Sequence, residues 1–421
     1  MSLSSAVNSA VSALNAQSAA LALVSNNLAN TSTIGYKTTS ASFSAMLAGS
    51  AGAKSAVSGG VLETAVADVS AQGLLTASST STNMAISGNG FFTVSSSLDG
   101  TGIAYTRNGE FSTDADGYLV NNGYYLMGWP TDADGNIIGS GTASSLQAVD
   151  TDKIATIAAP TTTMSMVANL PAEAETGASF TSSVEVFDSL GTAASSTVTW
   201  TKTGENEWTA TFADPVLASN TGTTIGTVTS APVTIAFNSD GTLASTNPSP
   251  VTLTIGSWTT GAATSTITID MGTSGTATGL SQYSTGADTL KVDLVADQDG
   301  VKMGSLTGIS IGEDGTVSGV YDNGMTRAIY KVPVATFTNA NGLAAISGGM
   351  YQATGASGAA TLRLSGTGGA GTIYGGQLEL STADTNTEFS KMMAAQQAYS
   401  GAAQIVSTAK SMFDTLISAV R

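Results

Sequence analysis

The 421-residue sequence contains no cysteine and no histidine. Without cysteine, neither disulfide bonds nor thiolate metal sites are available. Without histidine, the chain lacks the commonest general base and metal ligand, and a Ser–His–Asp triad cannot form. The sequence therefore predicts no catalytic, cofactor-binding or metal site, and we do not expect an enzyme.

Charge is also scarce, because only 10% of the residues are charged, and acidic residues dominate. The net charge of −17 argues against nucleic acid or an anionic membrane surface as a partner. No run of apolar residues approaches the length of a membrane span, so no membrane insertion is expected. The N-terminus shows neither a basic region nor a cleavage site, which predicts export without a cleaved signal peptide if the chain is exported. The Ser/Thr/Gly-rich, acidic composition is typical of an extracellular protein, so the export route must be an unusual one.

Both ends of the chain carry a helical pattern. Large apolar residues recur every seven positions in each, at Val7, Leu14, Leu21 and Leu28 near the N-terminus and at Met392, Tyr399, Val406, Phe413 and Val420 near the C-terminus. In the C-terminal segment, Ala395, Ala402, Ala409 and Leu416 form a second row of the same period. Such a pattern predicts narrow helical faces suited to close packing. Thr385 and Glu388 predict a capping box where the C-terminal helix begins.

An amphipathic helix most often packs its apolar face against the hydrophobic core of its own domain. These two helices, however, are rich in Ala, Ser and Asn, and a lone helix of that composition is marginal in water. We therefore predict that 1–30 and 385–421 pair as one helical coiled-coil unit that becomes ordered on assembly. The nine large apolar residues named above are the predicted assembly interface between copies of the chain.

The middle of the chain has the sequence pattern of β-strands, and this pattern takes two forms. In 73–148 and 281–345, short apolar runs alternate with Asn-Gly and Asp-Gly dipeptides, which suit hairpin turns. In 149–280, alternating residues such as Val198, Trp200, Trp208, Ala210 and Phe212 around Gly204 predict a hairpin within a sandwich or barrel. Because the pattern of 73–148 returns after this block, we interpret 149–280 as an insertion.

The predicted fold is mainly β with α-helical termini. It contains two antiparallel β domains, an inner one formed by 73–148 and 281–345 and an outer one, 149–280, inserted into it. The Ser/Gly/Ala-rich segments 31–72 and 346–384 are expected to be extended connectors between the β domains and the paired helices.

Two Asp-Ala-Asp-Gly segments, at 114–117 and 132–135, resemble half of a calcium-binding loop. An EF-hand loop ends in a glutamate at its twelfth position, where this chain has Tyr125 and Ala143. We interpret both segments as hairpin turns, with weak calcium binding as the alternative.

Several motifs occur in order along the chain: SNNLANT at 25–31, TIGYK at 33–37, NMAISGNGFF at 83–92, LTGISIGEDGTVSGVYDNGMTR at 306–327 and AAQQAY at 394–399. With these motifs the chain closely resembles the family of bacterial flagellar hook proteins, within the wider rod–hook group of axial proteins. Gln397 stands where that family usually has arginine, and STADTNT at 381–387 follows the family pattern only loosely.

The resemblance implies a structural subunit that assembles into a curved hollow tube, a flexible universal joint that transmits motor torque to the filament. It implies as partners copies of the chain itself, the distal rod protein, the hook cap protein, the hook–filament junction protein and the flagellar export apparatus. The implied location is extracellular, in the hook of the flagellar basal body. A distal rod subunit is the alternative within the group, and the inserted block argues against it. A secreted adhesin or surface-layer protein is a second alternative, on composition alone.

Overall fold

A computed structural model describes residues 3–48, 57–154, 156–287 and 289–420, without the side chains of residues 3–5, 47–48, 57–59, 154, 419 and 420. The chain forms two compact units. The first unit comprises Met1–Lys153, Gly308–Val320 and Thr326–Arg421, and the second comprises Ile154–Thr307 and Tyr321–Met325. Most elements are strands, and a long helix lies at each end of the chain. The predicted fold class, mainly β with paired helical termini, is confirmed.

The helices are α1, Leu3–Ala29, and α2, Thr385–Val420, with short 3-10 turns at Ala143–Ser145, Asp152–Ile154 and Ala340–Gly342. The first strands are β1 Thr39–Ala48, β2 Val57–Ala67, β3 Leu75–Ala77, β4 Met84–Ser87, β5 Phe91–Ser95, β6 Ile103–Thr106, β7 Ser112–Thr113, β8 Leu119–Asn121, β9 Tyr124–Pro130 and β10 Gln147–Ala148. The strands that follow are β11 Thr156–Ala159, β12 Thr163–Asn169, β13 Ser179–Phe187, β14 Ala193–Gly204, β15 Glu207–Phe212, β16 Val216–Leu217, β17 Asn220–Thr224, β18 Thr227–Val228, β19 Val233–Phe237, β20 Leu243–Asn247, β21 Val251–Gly256, β22 Ser265–Asp270, β23 Leu280–Ser281 and β24 Leu294–Gln298. The last strands are β25 Val301–Ile311, β26 Thr316–Tyr321, β27 Thr326–Lys331, β28 Val334–Thr336, β29 Ala344–Ile346, β30 Met350–Gln352, β31 Thr361–Arg363, β32 Thr372–Gly375 and β33 Gln377–Glu379.

The main sheet of the first unit runs in the order β26-β27-β9-β5-β6-β30-β29. It combines strands from before and after the second unit, so the first unit is built by both halves of the chain. One of its cores is aromatic, because the ring of Phe91 meets those of Phe337 and Tyr351 edge to face, with centroids 5.8 and 5.9 Å apart. Such pairs hold distant segments in fixed relative positions.

The second unit is a sandwich of two sheets. One sheet runs β18-β21-β22-β12-β23, and the other runs β17-β16-β14-β15-β19-β20. Buried residues of both sheets form one hydrophobic core, with Trp200 and Trp208 fully buried in it. The predicted hairpin is confirmed, because β14 pairs with β15 in antiparallel register, with Trp200 opposite Ala210.

The two predicted connectors are not simply extended. Within 31–72, β1 and β2 form a long antiparallel hairpin in which Thr39 pairs with Ala67. Within 346–384, short strands join the first unit, since β30 pairs with β6, β32 with β4 and β33 with β3. The prediction of extended connectors was wrong because Ser, Gly and Ala give almost no hydrophobic periodicity, even where they form strands.

Segment 281–307 also differs from its prediction, which assigned it to the inner β domain. It lies in the second unit, where β24 pairs with β12 over five residues. The turn signals of this segment resemble those of the first unit, but cross-strand pairing decides where a segment packs.

One helical stretch, Ala6–Ala29, is long and apolar enough to cross a membrane by length and composition alone, with a mean hydropathy of 1.2. This is weak support for a span, because the core helices of soluble proteins and signal sequences have the same properties. Ser and Asn interrupt the apolar residues of the stretch. The absence of membrane insertion stays a prediction.

Candidate assembly interface

The two terminal helices pair in antiparallel orientation. At one end, Asn27 of α1 contacts Glu388 of α2, and at the other end Ala6 lies beside Ala409. The small residues of α2 face α1, because Ala395, Ala402 and Ala409 are all buried. On α1, the buried residues Ala20 and Val24 lie beside Ala395. Alanine on both sides lets the two backbones approach closely, so the pair is held mainly by its small residues.

The large apolar row of α2 is left more open. Tyr399 and Phe413 are 42% and 41% exposed, whereas Met392 and Val406 are half-buried. The N-terminal row, Val7, Leu14, Leu21 and Leu28, is half-buried throughout. The backbone of Val420 ends α2, but its side chain lies outside the described part of the structure. The row predicted as the assembly interface is therefore the row that the helix pair covers less completely.

Further large apolar residues of α2 are exposed, and the seven-residue rows did not include them in the predicted interface. They are Phe389, Met393, Ile405, Met412, Leu416 and Ile417. Three of them, Ile405, Met412 and Leu416, are spaced by seven and four residues and therefore form a second stripe along one flank of the helix. A search for four-residue spacings in the sequence would have found this second stripe.

A polar cluster fastens α1 to α2 where they meet the hairpin. Asn27 donates from Nδ2 to Glu388 Oε2 at 3.0 Å and to the Thr39 carbonyl at 2.9 Å. Its Oδ1 accepts from the Tyr36 hydroxyl and from the Thr39 amide. Burial raises the pKa of Tyr36, and the carboxylate of Glu388 raises it further. Asn27 thus saturates its side-chain amide with contacts that only this arrangement of segments supplies.

A second buried cluster joins segments that lie far apart in the sequence. Lys37 Nζ lies 2.5 Å from Glu379 Oε1, and Arg107 Nη1 lies 3.0 Å from Glu379 Oε2. The Gly73 amide also donates to Glu379 Oε1, at 2.7 Å. Burial lowers the pKa of Lys37 and of Arg107, and the charge of Glu379 opposes both shifts. Lys37 and Arg107 therefore share the carboxylate of Glu379, and all three side chains are buried. Lys37 is the last residue of the TIGYK motif.

The start of α2 is capped differently from the prediction. Asp384 Oδ1 accepts from the Thr387 amide at 2.8 Å, and the Asp384 carbonyl accepts from the Glu388 amide. Asp384 is therefore the N-cap, and its hydrogen bonds to Thr387 lower the pKa of its carboxyl group. The predicted capping box of Thr385 and Glu388 is wrong, because the buried Glu388 carboxylate accepts hydrogen bonds from Asn27 and Lys391 instead. Aspartate at the N-cap also complements the helix dipole.

The β1–β2 hairpin lies directly on α1 at a glycine. Ser12 Oγ accepts from the Val61 amide at 3.0 Å, and a β-carbon on Gly60 would lie 2.2 Å from that oxygen. The φ of Gly60 is +115°, in a region that other residues rarely adopt. Only glycine allows this close approach of the hairpin to the helix.

The acidic turns use their carboxylates internally. Asp114 Oδ1 accepts from the amides of Asp116 and Tyr118, and Asp132 Oδ1 accepts from those of Asp134 and Asn136. Such bonds are typical of Asx turns, which supports the interpretation as hairpin turns. Within the described ranges, no group of three acidic residues is placed to hold a metal ion.

Sequence profiles of four flagellar families match successive parts of the chain. The flagella basal body rod protein profile matches 8–37, and the flagellar hook protein FlgE/F/G D1 domain matches 85–167. The flagellar basal body protein FlaE D2 domain matches 149–301, and the flagellar basal body rod FlgEFG protein C-terminal profile matches 374–419. The first and last profiles cover most of the two helices described above.

Full-length relatives are similar to the whole chain. The flagellar hook protein FlgE of Escherichia coli is 33% identical over 98% of this chain and 99% of its own length. That of Rhizobium meliloti is 34% identical over the full length of both chains. A crystal structure of Helicobacter pylori flagellar hook protein FlgE2 aligns with 71% of this chain and 98% of its own length, at 16% identity and a TM-score of 0.42. On identity and coverage by the full-length relatives, this chain belongs to the flagellar hook protein family.

Proposed function

We propose that this chain is the subunit of a flagellar hook, and that copies of it polymerise into a curved hollow tube that transmits torque as a universal joint. The observation that carries the proposal is the exposed apolar stripe of α2, in a chain whose full-length relatives are hook proteins. Exposed apolar stripes of this length mark contact surfaces. Val7, Leu14, Leu21, Leu28, Met392, Tyr399, Val406, Phe413 and Val420 are the proposed interface residues, together with the exposed flank of α2.

The helix pairs form the proposed inner layer of the tube. The two β domains predicted from the sequence form the proposed outer layers. A contact between different faces of identical subunits does not close on itself, so it generates an open helical polymer. Covering the stripe with a neighbouring copy removes apolar surface from water, at about 1.5–3 kcal/mol for each large side chain.

The test is polymerisation of purified chain, followed by electron microscopy and by the critical concentration. Met412→Ser should leave the fold of the monomer unchanged, because Met412 is exposed, and should raise the critical concentration by roughly tenfold or more. Gln396→Ser, at an exposed polar position of the same helix, is the matched control and should leave the critical concentration unchanged. Tubes that form equally well from the Met412 variant would count against the interface, and monomers or planar lattices from unsubstituted chain would count against a hook.

We propose that the outer β domains of neighbouring copies slide against one another as the tube bends, while the packed inner helices resist twist. The low charge of the chain supports this, because few ion pairs can fix one register between neighbouring copies. Adding complementary charge pairs to the outer surfaces of the second unit should stiffen the tube. Unchanged persistence length by electron microscopy in several such variants would overturn the sliding mechanism and leave the tube itself unaffected.

The remaining assignments follow from the proposed role. The proposed partners, besides further copies, are the distal rod protein, the hook cap protein, the hook–filament junction protein and the flagellar export apparatus. The proposed location is extracellular, with export of the uncleaved chain and without catalytic activity. The mass of the subunit recovered from assembled tubes tests the export proposal, because a cleaved signal peptide would lower it below 41.8 kDa. A distal rod subunit is less well supported, since the full-length relatives compared above are hook proteins.

A further inference from the structure

A cavity of about 430 Å³ opens where α1, α2 and β1 meet, beside Asn27 and Glu388. Its walls are mainly apolar, with Leu23 from α1, Phe43 from β1 and Ala394 from α2. The side chain of Phe43 is 47% exposed. The cavity has room for more than one aliphatic side chain.

The other end of the helix pair has the complementary shape. α2 has 36 residues and α1 has 27, and Ala6 lies beside Ala409. In an antiparallel pair with this register, α2 runs past the start of α1 by about eight residues, or ~12 Å. The projecting end carries two large aliphatic side chains, Leu416 and Ile417, which are 63% and 62% exposed. The helix pair thus has an apolar projection at one end and an apolar cavity at the other.

We propose that the projecting end of α2 from one copy inserts into the cavity of the next copy, so that helix pairs join head to tail. This inference rests on the proposed function, because it requires that copies polymerise. Within one chain the projection cannot reach the cavity, since Ala394 and Leu416 lie on the same helix about 33 Å apart. The two surfaces are different, so every assembly still has a free projection at one end and a free cavity at the other, and the contact extends without limit.

The charges at the two ends agree with this pairing. The projection carries the exposed Asp414, and Lys391 lines the cavity. Lys391 donates to Glu388 Oε1 at 2.6 Å, and its ammonium group has further donors for a second carboxylate. Glu388 itself is buried and already accepts from Asn27 and Lys391, so it presents little negative charge to the incoming helix. Asp414 of one copy can therefore pair with Lys391 of the next copy.

The absence of cysteine from the chain makes a direct test possible. We expect the double variant Ala394→Cys/Leu416→Cys to form disulfides between neighbouring copies, because a disulfide requires Cα atoms within about 7 Å. Mild oxidation of assembled tubes should give a ladder of covalent multimers on a non-reducing gel, and oxidation of dilute monomer should give none. Gln396→Cys/Ser418→Cys is the matched control, with the same spacing along α2 but on the opposite face of the helix.

The outcomes separate this inference from the function on which it rests. A ladder from the 394/416 pair and none from the control supports head-to-tail insertion. Tubes without a ladder, or equal ladders from both pairs, overturn the insertion and leave the hook function standing. Should the double variant not polymerise, the two single variants are mixed with unsubstituted chain as carrier. A dimer of the two variants then supports the insertion, and its absence from the tubes overturns it. Failure of unsubstituted chain to polymerise would overturn the proposed function itself.

Discussion

The buried carboxylate of Glu379 allows a quantitative test of how the first unit is held together. Its side chain is 0% exposed, and it accepts from Lys37, Arg107 and the Gly73 amide. Glu379→Gln keeps the size of the side chain but removes the negative charge that both cations contact, and it points an amide donor at other donors. Breaking a buried ion pair in this way costs about 3–5 kcal/mol. We therefore expect the free energy of unfolding of the first unit to fall by that amount.

The charge balance of the cluster predicts a smaller loss for a second variant. Lys37→Met leaves Glu379 paired with Arg107, so one cation remains with one carboxylate and no net charge is buried. We expect this variant to cost less than Glu379→Gln. Glu110→Gln, at an exposed position of the first unit, is the control and should change the free energy of unfolding by about 0.5 kcal/mol or less.

Hydrogen exchange measured by mass spectrometry at increasing urea resolves the two units separately. Peptides from β5 and β9 report on the first unit, and peptides from β14 and β21 report on the second. With an m-value of roughly 3 kcal/mol/M, the midpoint of the first unit should fall by about 1–1.7 M in Glu379→Gln, with the second unit unchanged. A fall below about 0.3 M, or a larger loss in Lys37→Met than in Glu379→Gln, would refute the charge-balance reasoning.

Three further predictions concern the helices and the acid stability of the second unit. Asp384→Ala should destabilise the start of α2 by about 1 kcal/mol, whereas Thr385→Ala should cost little, as hydrogen exchange at the first turn would measure. Ala402→Leu should cost about 1–3 kcal/mol by overpacking the buried contact between the helices, measured by urea unfolding followed by circular dichroism. Hydrogen bonds from Thr285 lower the pKa of Glu173 from 4.5 to about 2. Because the folded state binds this proton less tightly, Glu173 stabilises the second unit above pH 4.5, and that contribution is lost as the pH falls through about 2. Glu173→Gln should therefore flatten the pH dependence of urea unfolding in this range.

The sequence alone predicted those elements whose periodicity is strong. The seven-residue rows predicted both terminal helices, and the alternation around Gly204 predicted the pairing of β14 with β15. In both cases local spacing carries the information, because one face of the element is apolar over several repeats.

The prediction of connectors failed where tertiary contacts decide the structure. The β1–β2 hairpin has little apolar periodicity, and it packs on α1 through the close approach of Gly60 to Ser12. No local pattern specifies that contact, since the two residues lie 48 positions apart.

The candidate interface was predicted only in part. Periodicity identifies two rows on α2, but it does not say which row faces α1. The structure turns the alanine row towards α1, because close packing of two helices favours small residues, and it leaves Tyr399 and Phe413 more exposed. The N-cap was missed for a similar reason. Asp384 and Thr385 are both good N-cap residues, and the buried contacts of Glu388 decide between them.

The pairing of Lys37 with Glu379 can form only late in the synthesis of the chain. The two residues are 342 positions apart. At about 5–20 residues per second, a ribosome needs roughly 20–70 s to supply the carboxylate after it has made the lysine. The second unit is almost continuous in sequence, so it has all but five of its residues well before then. For most of its synthesis the chain therefore carries one unit that is ready to fold and another that cannot close, and any chaperone that must keep its ends open has that interval in which to bind.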